Sequence, residues 1–167
     1  MGELETQREA VPFEDGGERE TSLAFLAFAR HCVLKKLEGL DEEQVRRRLV
    51  GSDTTLLGLV QHNTDGERYW FGHVLTGDPT WAHVDFSMVV AEGRTAAEVL
   101  ADHRAAVAES DRNLAAVGSL DDLVAVPFRG GERTSVRWVV QHMTSELARH
   151  AGHADILREL IDEVTGR

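Results

Sequence analysis

A chain of 167 residues with a single cysteine cannot build an internal disulfide. Cys32 sits among Phe28, Val33 and Leu34, where it reads as a small buried hydrophobe rather than a nucleophile. No apolar run approaches the roughly 20 residues that cross a bilayer, so no membrane span is expected. The first twenty residues lack a basic n-region and an apolar h-region, which predicts no secretory signal and a soluble, cytoplasmic protein. Positive charge is scarce: 18 Lys and Arg against 29 Asp and Glu leave a formal net charge of -11. Nucleic-acid surfaces need clustered cations, and the one cluster, Arg46, Arg47 and Arg48, stands beside Glu42 and Glu43 as the solvated face of a short helix. No G-x-S-x-G motif is present.

What the chain does have is ordinary soluble composition, 42% hydrophobic and 28% charged, and amphipathic helical periodicity. The spacing of Leu23, Leu26, Val33, Leu37 and Leu40 predicts a first long helix over 21–40, left at Gly39. Asp41 and Gln44 have the spacing of a capping box for a short turn. A second long helix is expected from about Thr54 to Leu75, stopped by Gly77, Asp78 and Pro79. Over 80–93 the helical period is lost, and Val84, Phe86, Met88 and Val90 alternate as in a short extended segment. Thr95 and Glu98 open a third helix reaching about Val117. The stretch 124–133, with Pro127, Gly130 and Gly131, reads as a tight turn or small hairpin. Residues 1–17 are expected to be a flexible tail, and 18–167 one domain. Four amphipathic helices with a long crossover between the second and third describe an all-α four-helix bundle.

The last helix, expected over 134–164, carries the chemistry. Val136, Val139, Val140, Met143, Leu147, Ala151, Ala154, Leu157, Leu160, Ile161 and Val164 form one apolar stripe, and Glu146 and His150 fall on it. Standing four apart, the two project the same way, and a carboxylate sent toward a core needs a partner. A metal ion satisfies both, with a third ligand from a facing helix. His62, following Leu56, Leu59 and Val60 in an amphipathic run, is the best candidate. The same residues also read as an ion pair at the edge of the stripe beside a hydrogen-bonded core histidine. His103 lies on the inner face of the third helix, as a competing ligand or a core histidine with one hydrogen bond. His142 and His153 flank the pair, either replacing a ligand or orienting one. Trp70, Trp138 and Arg149 are candidate pocket residues, Arg149 offering a fork to a carboxylate.

Four segments, ERETSLAFLAFARHCVLKKLEGLDEEQVRRR, TTLLGLVQHNTDGERYWF, SLDDL and SVRWVVQHMTSELARHAGHADILRELID, together resemble the DinB-like bundle superfamily. The likeness is to the actinobacterial branch related to mycothiol-dependent maleylpyruvate isomerase and mycothiol S-transferases, and it covers nearly everything after residue 17. The resemblance implies a DinB-like four-helix bundle and a divalent metal, zinc or nickel, held by one histidine of the second helix and two residues four apart on the last. Carried over, these are His62, Glu146 and His150. The chain departs from the pattern at Asn63, Thr64, Asp65 and Gly66, where relatives are more apolar, and Gly66 there suggests a bend or a widened pocket.

The resemblance further implies a thiol S-transferase or thiol-dependent isomerase in which the metal activates a low-molecular-weight thiol such as mycothiol, so that no protein nucleophile is required. The expected partners are that thiol and a small electrophile, with no nucleic acid and no membrane, and a homodimer is compatible with the sequence. The alternative is a bundle that binds a metal or small molecule without turnover, and a third reading is a structural homodimer without metal.

Overall fold

The computed structural model describes residues 10–127 and 130–166. Among them the protein is all-helical. The elements are α1 (Glu18–Leu34), α2 (Glu42–Val45), α3 (Leu56–Glu67), α4 (Ala96–Ala115) and α5 (Val136–Asp162). α1 runs into a tight turn at Lys35–Leu37, and α3 continues without a break into a wider, π-helical turn at Arg68–Val74. α1 packs on α5 and α3 on α4, and α3 touches α5 across the bundle. No helix among the described residues is long and apolar enough to cross a membrane.

Capping follows the sequence. Asp41 with Gln44 and Thr95 with Glu98 form reciprocal boxes at α2 and α4, each satisfying two otherwise orphaned backbone groups. Thr55 and Ser135 accept from the backbone of Gly58 and Trp138 to start α3 and α5. The first free N–H groups of α5 are taken by the preceding loop, Val136 N donating to Asp122 O (2.9 Å) and Arg137 N to Leu120 O (2.8 Å). The turn before α5 is pinned by one antiparallel bridge, Leu123 to Ser135. Phe128 and Arg129, within the segment read as a turn or hairpin, and residues 1–9 of the expected tail lie outside the described residues.

Two departures from the sequence reading concern the bundle's middle. The alternation at Val84, Phe86, Met88 and Val90 produces irregular backbone with no strand pairing. The segment is a strap laid across α3 whose side chains have no sheet neighbour to pair with. The stripe of α5 also narrows toward its end: Leu157 is buried and Ile161 packs partly buried against the same cluster, while Leu160 is 55% exposed, before Glu163 (φ 64°) closes the helix.

The apolar core divides into two clusters. One gathers Trp70, Phe71, Val139, Val140, Met143 and Leu147; the other gathers Leu57, Leu59, Val60, Ala151, Ala154 and Leu157. Along α3 the change-over falls between Val60 and Trp70, and along α5 between Leu147 and Ala151. The two helices therefore bring His62 and Asn63 of α3 and His150 of α5 to one level of the bundle. A buried ion pair clamps the same region from behind. Arg30 of α1 donates Nε to Glu67 Oε1 (2.8 Å) and Nη2 to Oε2 (2.7 Å), and its Nη1 reaches Asp111 of α4 (2.8 Å).

Candidate metal centre

At that level lies a cavity of about 220 Å³. It is lined from α3 and its π turn by His62, Asn63, Gly66 and Trp70, from the strap by Phe86, and from α5 by His142, Met143, Glu146, Leu147 and His150. Residues 142, 146 and 150 succeed one another at one-turn intervals, which is why a single helix presents all three to the same space. All three residues expected to hold a metal, His62, Glu146 and His150, thus share one cavity.

The imidazole of His62 hydrogen-bonds the strap, Nδ1 to Phe86 O at 2.7 Å. A carbonyl can only accept, so Nδ1 carries a proton, and the tautomer this selects is the one that turns Nε2 toward the cavity as the acceptor nitrogen of the neutral ring. The rings of His62 and His150 meet edge to face, centroids 4.8 Å apart. His150 is 5% exposed, and neither of its ring nitrogens has a hydrogen-bond partner. Burial pulls its pKa down to about 4, His62 pulls the same way, and Glu146 opposes them, so the ring is neutral at pH 7 with a free lone pair. Glu146 Oε2 stands 3.9 Å from His150 Nε2 and 3.7 Å from Arg149 Nη1. A second buried polar residue lines the cavity: Asn63, 4% exposed, whose enclosed amide Nδ2 has no hydrogen-bond partner.

A metal ion fits this donor set. The lone-pair nitrogen of a buried, unpaired imidazole costs free energy that a metal ion on it would recover, and neutral imidazole with carboxylate is a combination zinc and nickel accept. In the present arrangement, however, no group of three or more His, Cys, Asp or Glu side chains among the described residues is gathered closely enough to hold an ion.

The sequence profile of mycothiol-S-transferase matches residues 21–163. The chain belongs to the mycothiol-S-transferase family. Comparison with curated proteins finds no match. The family match spans all of α1 to α5 except the first turn of α1, and so includes every residue of the cavity.

The other candidates separate cleanly. His142 lines the cavity, stacked on Trp138 (centroids 4.9 Å, 13° between planes) and edge-on to Trp70 (4.6 Å), so it belongs to an aromatic wall. His153 is exposed, its ring 5.7 Å from His150, on the outer side of that residue. His103 is a core histidine. Thr64 Oγ1 gives its proton to Val60 O (2.7 Å), so His103 Nδ1 must be the donor in their 3.0 Å bond. The Arg149 side chain is 63% exposed and turned toward Glu146, not into the cavity. Trp81 packs over Gly72 and under the Arg68 guanidinium (4.5 Å), away from the site. Sequence reading missed the Phe86 carbonyl, which no side-chain pattern announces. It noticed Asn63 only as a departure from the family's more apolar pattern, and a polar residue at a buried helical position was the signal available.

Proposed function

We propose that this protein is a metal-dependent thiol S-transferase, or a thiol-dependent isomerase, with zinc or nickel held by His62, Glu146 and His150 and mycothiol or a similar small thiol as co-substrate. The observation carrying this reading is His150: a buried, neutral imidazole with both nitrogens unpaired, in one cavity with the Nε2 lone pair of His62 and the carboxylate of Glu146. Two donors each about 2.0–2.2 Å from a tetrahedral ion stand roughly 3.4 Å apart, so the 3.9 Å between Glu146 and His150 closes by a side-chain adjustment. Such an ion, when bound, lowers the pKa of a thiol so that its thiolate is available at neutral pH.

The chain's own residues divide the remaining work. Phe86 fixes the tautomer of His62 through its carbonyl. Trp70, Phe86, Met143 and Leu147 keep the cavity apolar, which strengthens electrostatic interactions inside it. Three protein ligands leave a coordination position for a substrate. Cys32 is buried and has no place in the reaction.

The test is the metal content of untagged protein purified without chelators, beside His62→Ala and a Glu146→Gln/His150→Ala double variant. Near-stoichiometric zinc or nickel that disappears in both variants supports the site, and consumption of mycothiol with an electrophile then supports the transferase. Metal and saturable thiol binding without product would leave a binding protein. No metal, even after addition, would overturn the metal reading.

A further inference from the structure

Beyond the metal cavity, the seam between α3 and α5 holds a second concavity. The two helices run antiparallel, His62 meeting His150 while Trp70 meets Trp138 and His142. Followed past His150, the seam opens into a groove of about 340 Å³ walled by Val50, Met88, Ile156 and Leu157. The strap borders both spaces, Phe86 lining the metal cavity and Met88 the groove. His153 stands at the junction: it lines the groove, and its ring lies 5.7 Å from that of His150. Leu157 is two turns beyond His150, about 10 Å of helix, within reach of a chain whose other end reacts at the proposed metal.

We propose that this groove binds the apolar end of the electrophile, an alkyl or aryl substituent, while the reacting carbon lies in the metal cavity. The inference rests on the proposed thiol transfer and gives its second substrate a class. The groove's chemistry selects for carbon. Its hydroxyls are already committed, Ser52 and Thr54 to each other (2.9 Å) and Thr54 to the Met88 sulfur (3.4 Å), so a polar thiol finds few partners there. Val50 and Ile156 are 40% and 57% exposed, apolar area that a bound substituent takes out of water. The volume is that of a small-molecule pocket, and a net charge of -11 disfavours covering the patch with a second copy of the same chain.

The test varies the substituent alone. N-alkyl-2-bromoacetamides present one reacting carbon with an alkyl group from methyl to hexyl. In each, the thiolate forms the C–S bond as C–Br breaks, bromide leaves with the electron pair, and the thiol's proton passes to solvent. With metal-loaded protein and mycothiol, kcat/KM is expected to rise about fourfold for each methylene that the groove buries. Val50→Ser/Ile156→Gln, which changes two exposed side chains, is expected to bring the hexyl-to-methyl ratio of kcat/KM toward one. An equal ratio in variant and parent would overturn the inference. A KM for mycothiol raised by the variant at every chain length would give the groove to the thiol, and would overturn it too.

Binding is read separately from turnover. The fluorescence of N-phenyl-1-naphthylamine should rise saturably with the parent, fall on addition of unreactive N-hexylacetamide but not of N-methylacetamide, and stay low with the variant. Displacement by neither amide, or by both equally, would overturn the groove as an apolar site. Sedimentation of the parent as a dimer that the variant converts to monomer would give the patch to a second copy and overturn the inference. If no thiol is consumed with any member of the series, the transferase reading fails, whereas the displacement result still judges the groove.

Discussion

Arg30 and Glu67 bind each other through two parallel hydrogen bonds of 2.8 and 2.7 Å, with Glu67 fully buried and Arg30 nearly so. The pair ties α1 to α3 one turn beyond the candidate site, and Arg30 also leans on the Phe71 ring, 5.7 Å to its centroid. Removing one partner leaves a charge in a place water does not reach. Arg30→Ala or Glu67→Ala should each cost about 3–5 kcal/mol, read as a loss of urea midpoint at constant slope. The double variant Arg30→Met/Glu67→Leu should recover most of that loss. Equal destabilisation in single and double variants would show that packing, not the unpaired charge, sets the cost.

His103 makes stability depend on pH. Burial holds its pKa down at about 4, against an ordinary 6.5, while neighbouring Glu67 pulls up and Arg30 pulls down. Above pH 6.5 both folded and unfolded states carry it neutral and nothing is lost. As pH falls from 6.5 toward 4 the unfolded chain takes the proton first, so stability declines, and below 4 this contribution levels off. The whole decline amounts to about 3 kcal/mol. Urea midpoints from pH 7 to 4 should therefore fall less steeply in His103→Gln than in the parent. Parallel curves would assign the acid sensitivity to other groups.

Gly58 and Gly66 sit on the same helix and should respond oppositely to alanine. A Cβ on Gly58 would collide with the backbone carbonyl of Met88 in the strap, whereas one on Gly66 meets only the mobile Cε of Met143 at 3.3 Å. Gly58→Ala should push the strap away, release the Phe86 carbonyl from His62 and weaken zinc or nickel binding about 10–100-fold. Gly66→Ala should stabilise the helix by up to about 1 kcal/mol. Competition titrations with a chromophoric chelator, beside thermal melts, read both. Unchanged metal affinity in Gly58→Ala would detach the strap from the site.

Metal should also stabilise the fold. Free zinc at about 100 times its dissociation constant adds roughly 2.7 kcal/mol to the unfolding free energy. The corresponding rise in melting temperature should be absent in His150→Ala, which has lost the most deeply buried of the proposed ligands. A rise of equal size in that variant would place the metal elsewhere.

Much of this was legible in the linear chain because helices repeat. Helical spacing put Glu146 and His150 on an inward face, cap residues marked where α2 and α4 begin, and of the two readings of His103, competing ligand or core histidine with one hydrogen bond, the structure has the second. The family resemblance named His62 as their companion, and the fold brings it to the same cavity. What stayed hidden depends on backbone or on distance in sequence. The strap's alternation looked like a strand because period-two patterning cannot say whether a partner strand exists. Arg30 and Glu67, 37 residues apart, each look like solvated helix charges until α1 and α3 are packed. Arg158 likewise appears to be a surface residue, yet it is buried and donates to the carbonyls of Lys36 and Glu38, closing the turn after α1.

The π turn at Arg68–Val74 separates two kinds of change along one helix. A wider turn slips the helical phase by about one residue, roughly 100° of rotation, and the slip re-aims only side chains within the turn or C-terminal to it. His62 and Asn63 lie before it and keep their bearing, while Trp70 lies within it. Lengthening or removing that turn would re-aim Trp70 without moving His62, so the aromatic lining and the histidine of the same helix can vary independently of one another.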